Sequence, residues 1–159
     1  MTAIEGINAK LEMAFTVLKR MEWVPILLMR LFIGYFFAET GWGKIHNLDT
    51  MTQRFIEWGI PFPAFNAALS GYTEFIGGVL IILGLATRFV SLPLAFNMLV
   101  AIVSVKIKNV TDLSGFVELD EPLYGLVFVW MVFTGAGAAS LDALIARRFG
   151  RRVLTTPAE

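Results

Sequence analysis

Twenty consecutive residues, Pro122–Leu141, carry no charge, and no other feature constrains the chain as much. A helix needs about 20 mostly apolar residues to cross a hydrocarbon layer of about 30 Å. Two shorter uncharged runs precede it, Phe75–Thr87 and Phe89–Val105, separated only by Arg88. The first becomes long enough if its helix starts near Ala64–Ala68 and carries Glu74 inside. The second is a short span ending at the interface, with Pro93 in its first turns, where a missing N–H is best tolerated. An earlier stretch, Trp23–Gly41, is apolar except for Arg30 and Glu39. We therefore expect an all-α, four-helix transmembrane bundle, with spans near 23–44, 64–87, 89–107 and 122–144.

Composition agrees. In 159 residues, 57% are hydrophobic and 16% charged, against roughly 25% charged in soluble domains. Thirteen basic residues balance thirteen acidic ones, so no basic surplus favours nucleic acid. The absence of cysteine excludes disulfides, thiol relays and thiolate-bound metals. One histidine cannot build a multi-histidine metal site or supply two axial haem ligands. We expect no metal site and no intrinsic cofactor.

Basic residues set the expected orientation. Lys10, Lys19, Arg20, Arg88, Arg147, Arg148, Arg151 and Arg152 fall on one side, and Lys44, Arg54, Lys106 and Lys108 on the other. Eight against four places both termini in the cytoplasm. Residues 145–159 then form a basic cytoplasmic tail. Residues 1–22 carry Ile4, Ile7, Leu11, Phe15 and Leu18 at three- and four-residue steps, with Thr2 and Glu5 spaced as a capping box. They predict an amphipathic helix, lying on the membrane face or docking a partner subunit. The outer connection 45–63 holds Phe55, Trp58 and Phe62 around the GIPFP turn. It either anchors at headgroup depth or re-enters to roof a cavity.

Charges inside spans are costly and usually face the bundle interior. Arg30 lies about 10 Å into the layer at 1.5 Å per residue, and Glu74 lies ten positions into the second span. The reading most open to test is that Arg30 and Glu74 meet in a shielded pocket, with Glu39 nearer the outer surface and Lys44 within reach of Glu39 or Glu74. Asn97 sits midway along the third span. The group is either a polar cluster that ties helices together or a proton-handling ligand site. The candidate catalytic residues are Glu74, Glu39 and Arg30. The candidate residues for binding a redox molecule are Lys44, Tyr35, Trp42 and Tyr72, with Phe75 packing beside them. Small residues at four-residue spacing, such as Gly34 and Ala38, read as close intramolecular helix contacts rather than a dimer seam. His46 reads as an interfacial polar residue.

Three blocks resemble the DoxX family of small bacterial membrane proteins. LLMRLFIGYFFAETGWGKI (27–45) carries the R-x3-G-x2-F-x3-G-x2-K pattern at Arg30, Gly34, Phe37, Gly41 and Lys44. YTEFIGGVLIILGLATR (72–88) carries Glu74, Gly77, Gly78, Gly84, Thr87 and Arg88, and GAGAASLDAL (135–144) contains Ser140-Leu141-Asp142. The resemblance implies a four-helix protein of the bacterial cytoplasmic membrane. More loosely, it implies a link to quinones, as an accessory subunit of a membrane redox complex rather than a stand-alone enzyme. A small transporter, possessing the same charges as a pathway, and a non-catalytic assembly scaffold are the rival readings. The bilayer, redox subunits and a second copy of the chain are the expected partners.

Overall fold

A computed structural model describes residues 3–148, whose regular elements are all helical, with no strand among them. The order is α1 (Ala3–Arg20), α2 (Trp23–His46), α3 (Leu48–Glu57), α4 (Pro63–Leu83), α5 (Thr87–Ala101), α6 (Leu113–Val117), α7 (Asp120–Thr134) and α8 (Leu141–Arg148). Between α5 and α6 the helix widens into a π-helical turn, Ile102–Lys106, then tightens into a 3-10 turn, Ile107–Asn109. Three helical stretches are long and apolar enough to cross a membrane: Trp23–His46, Pro63–Leu83 and Thr87–Lys106. Thr2, the side chains of Ile4 and Glu5, and the tail beyond Arg148 lie outside the described residues. The expected capping box and the tail arginines Arg151 and Arg152 fall there.

One expectation of the fold is corrected. The segment 122–144 is not one helix. The chain leaves α7 after Thr134, and Gly135 and Gly137 both take positive φ, 75° and 74°. This backbone region is open to glycine at little cost. The 15 residues of α7 reach only about 22 Å at 1.5 Å per residue. The outer connection, in turn, contains a helix. On α3, Met51 and Phe55 are four positions apart and bury against Ala67 of α4, with Trp58 and Ile60 beside them.

The bundle is built from two closely packed pairs. Helices α2 and α4 meet backbone to backbone along Gly34, Gly41 and Gly78. A Cβ on Gly34 would come within 2.8 Å of the Gly78 carbonyl oxygen, and one on Gly78 would overlap the Ala38 backbone. These glycine contacts are intramolecular, as their spacing suggested. Helix α5 pairs with α7, and a core of Ile33, Phe37, Ile81, Leu94, Met98, Phe128 and Met131 joins the two pairs. Phe37 of α2 packs edge-on against Phe128 of α7, with centroids 4.8 Å apart.

The contrast between two glycines tests this close approach. A Cβ on Gly43 meets nothing within 4 Å. Gly43→Ala should therefore be neutral or stabilise by about 0.5–1 kcal/mol through helix propensity. Gly78→Ala pushes a methyl into rigid backbone and should destabilise by about 1–3 kcal/mol. Thermal melts of the two variants in detergent check this, and equal melting temperatures would refute the contact.

Candidate functional site

The buried face of α2 runs Arg30, Ile33, Gly34, Phe37, Gly41. Steps of three and four residues keep side chains on one helix face, and Lys44 continues the stripe. On α4 the buried stripe is Ala67, Ser70, Gly71, Glu74, Gly77, Gly78, Ile81. Packing these faces together brings Lys44 against Glu74, not Arg30. Lys44 Nζ lies 2.6 Å from Glu74 Oε1. Asn97 Nδ2 of α5 donates to the same oxygen at 2.7 Å and to Ser70 Oγ at 3.2 Å. Glu74 is 2% exposed, and its second oxygen, Oε2, is buried without a hydrogen-bond partner.

Arg30 is also buried but serves the other end of the bundle. Its Nε donates to the Ile81 carbonyl at 2.9 Å and Nη2 to that of Ile82 at 2.8 Å. Its Nη1 donates to the Ala136 and Ala139 carbonyls at 2.6 and 3.0 Å. Ile81 and Ile82 present two of the last carbonyls of α4, where a cation is favourable, and that of Ile81 also accepts the Gly84 N–H at 3.1 Å. The loop after α7 turns its carbonyls onto the same guanidinium. Asp142 completes the joint: its carboxylate accepts from Ala86 N at 2.8 Å and Thr87 N at 3.2 Å, at the start of α5. The expected meeting of Arg30 with Glu74 is thus replaced by two separate polar centres. Seven residues of α4, about 10 Å along the axis, separate Glu74 from Ile81.

A cavity of about 650 Å³ opens beside Glu74. Its walls are mainly apolar, with Phe36 and Phe37 from α2, Phe55 of α3 and Trp58 just after it, Phe96 of α5 and Tyr124 of α7. Lys44, Ser70, Glu74 and Asn97 give it one polar wall, and Lys106, Asp120 and Glu121 give it another. The outer connection contributes Met51 and Phe55 of α3, with Trp58 and Ile60, to its wall.

Of the other expected site residues, Tyr35 is 63%, Trp42 52% and Tyr72 49% exposed, and Glu39 is exposed too. None of the four lines the cavity. The reason is angular. Tyr35 and Trp42 each follow a buried glycine by one residue, a turn of about 100° around the helix, and Glu39 is two residues from both Phe37 and Gly41. Trp42 instead packs on Phe75 and the His46 ring, 5.2 and 4.0 Å between centroids. Sequence reasoning missed Ser70, Phe36, Tyr124, Lys106 and Glu121 as wall residues. Ser70 was recoverable, because it precedes Glu74 by one helical turn. Among the described residues, no group of three or more His, Asp and Glu is placed to hold a metal ion.

The family model for DoxX matches residues 26–107, from the start of the α2 stripe to the end of the π-helical turn. The chain belongs to the DoxX family. It is a multi-span, all-α membrane protein of that family, and full-length relatives align over most of it. CatD of Bacillus subtilis, whose name assigns it provisionally to the oxidoreductases, is 34% identical over 77% of this chain and 87% of its own length. The uncharacterized membrane protein Rv3486 of Mycobacterium tuberculosis is 31% identical over 77% of this chain and 82% of its own. The inner membrane protein YqjF of Escherichia coli is 30% identical over 83% of this chain and its full length. No solved structure matches the chain.

Proposed function

We propose that this DoxX-family chain is a quinone-interacting accessory subunit of a membrane redox complex, with the cavity beside Glu74 as the ring site. One observation carries the reading: a carboxylate oxygen, Glu74 Oε2, is buried without a partner at the wall of an otherwise mainly apolar cavity. Buried polar atoms are nearly always satisfied, so an orphan of this kind points to a ligand donor. The aromatic walls suit a flat apolar ring, and the mixture of many apolar contacts with few polar groups is typical of small-molecule sites. The relation to CatD, named for oxidoreductase chemistry, points the same way.

A bound quinone would supply reversible two-electron, two-proton chemistry. The residues of the chain have the rest of the work. Lys44 Nζ stands where it can donate to a ring carbonyl while holding Glu74 Oε1. Glu74 Oε2 can accept a hydroxyl hydrogen or take its proton. Asn97 fixes the carboxylate from the opposite side. Phe37 and Phe55, both buried, keep water from the polar wall.

The same proposal sets the chain in the bacterial inner membrane with both termini in the cytoplasm. Helix α1 then lies on the inner face, its exposed Ile7, Leu11, Phe15 and Leu18 toward lipid and Lys10, Lys19 and Arg20 toward anionic headgroups.

Titration of the detergent-purified chain with a short-tailed quinone, oxidised and then reduced, tests the site. Wild type should bind, and Glu74→Gln should bind the reduced, hydroxyl-bearing form about tenfold more weakly, the loss of roughly 1.4 kcal/mol. Undetectable binding by both proteins would remove the proposal.

A further inference from the structure

The cavity has a second Lys–Glu pair. Lys106 Nζ lies 2.8 Å from Glu121 Oε1, and Glu121 Oε2 is buried with no partner. Among the described residues, Glu74 and Glu121 are the two carboxylates with an orphaned buried oxygen. Both line the same cavity, and each has its other oxygen held by a lysine. A carboxylate paired with an ammonium only accepts hydrogen bonds. What both walls lack is therefore a donor.

The backbone brings the second pair inward. Ser104, Val105 and Lys106 all line the cavity. They belong to the π-helical turn over Ile102–Lys106, closed by the bond from Ile107 N to the Ile102 carbonyl. Such turns concentrate at functional sites. Helix α7 begins at Asp120, which sets Glu121 in its first turn opposite Lys106.

We infer that the cavity selects a ring bearing two opposed hydroxyl groups, the reduced quinol form, with one hydroxyl donating to Glu74 Oε2 and the other to Glu121 Oε2. This rests on the quinone reading above and adds Glu121 as a second ligand-binding residue and the reduced state as the preferred ligand. The two orphaned oxygens belong to the two polar walls of one cavity of about 650 Å³. The site is closed enough for such bonds to count, since the Glu121 side chain is 17% exposed.

The test uses the full chain in detergent and three probes kept anaerobic: a short-tailed 1,4-quinol, its mono-methyl ether and the parent quinone. The ether keeps the ring and one hydroxyl but removes the second donor. Wild type should bind the quinol at least tenfold more tightly than the ether, a comparison that needs no variant. Glu121→Leu should reduce that ratio to within about twofold while leaving ether affinity nearly unchanged, because the ether then donates to Glu74 alone. Equal affinity of wild type for quinol and ether overturns the inference, as does a Glu121→Leu protein that keeps the wild-type ratio. If wild type binds quinone and ether but shows no quinol preference, only the two-donor inference falls. If it binds none of the three, the quinone reading falls with it.

Discussion

Arg30→Met should lower the melting temperature of the detergent-solubilised protein by roughly 5–15 °C. The guanidinium spends its hydrogens on four carbonyls: two at the end of α4 and two in the loop after α7. Polar contacts between membrane helices average about 0.6 and reach about 1.7 kcal/mol each, so four worth between once and twice the average sum to roughly 2–5 kcal/mol. For a chain of this size, 1 kcal/mol moves the melting temperature by about 2–4 °C. Methionine fills much of the space but leaves the Ala136 and Ala139 carbonyls without that donor. Lysine should not rescue the loss, because a single ammonium cannot reproduce the planar fork that reaches both segments. The measurement is a thermal melt of wild type, Arg30→Met and Arg30→Lys. A methionine variant melting within about 2 °C of wild type would show that the joint between α2, α4 and the 135–140 loop is held by something else.

The second large effect concerns the Lys44–Glu74 pair, whose two halves should behave unequally. The Lys44 side chain is 23% exposed and that of Glu74 only 3%. Lys44→Met leaves a carboxylate in a closed site with Asn97 as its remaining close donor. Stranding a buried charge costs about 3–5 kcal/mol, and the Asn97 bond keeps the expected loss near 3. Glu74→Leu strands a lysine that can swing its ammonium to water while its stem still packs, so its cost should stay below about 1 kcal/mol. The double variant should regain most of what Lys44→Met loses, because both charges are gone and the apolar site closes over leucine. Denaturation of all four proteins as a double-mutant cycle measures the coupling. Equal losses for the two single variants would mean that Glu74 reaches water by a route other than the cavity mouth.

Much of this arrangement was legible along the chain. The three long spans follow from apolar stretches that carry few charges, although the longest uncharged run, Pro122–Leu141, is broken after Thr134. That Arg30 and Glu74 turn inward followed from the cost of a charge in hydrocarbon, and both lie on buried stripes, whereas Glu39, expected with them, is exposed. The break in 122–144 was harder to see. Its glycines and alanines are apolar and suit a helix by hydropathy, and only their carbonyls' use by Arg30 requires the loop. The aromatic wall was misassigned for an angular reason. Tyr35 and Trp42 are one residue off the buried stripe, and at 100° per residue one position is enough to send a side chain outward. The Lys106–Glu121 pair had no signal in spacing, because a π-helical turn shifts the register on which spacing arguments rest.

The sequence by itself determined that the chain is helical, apolar and membrane-spanning, and that its few internal charges must find partners. Each of those conclusions depends on the price of moving one residue type from water to hydrocarbon, a property local to the residue. Which charge meets which was decided only by tertiary structure. Arg30 goes to carbonyls, and Lys44 goes to Glu74, because glycine contacts set how far α2 slides along α4. A shift of two helical turns in that contact would exchange one set of partners for another without altering any residue's hydropathy.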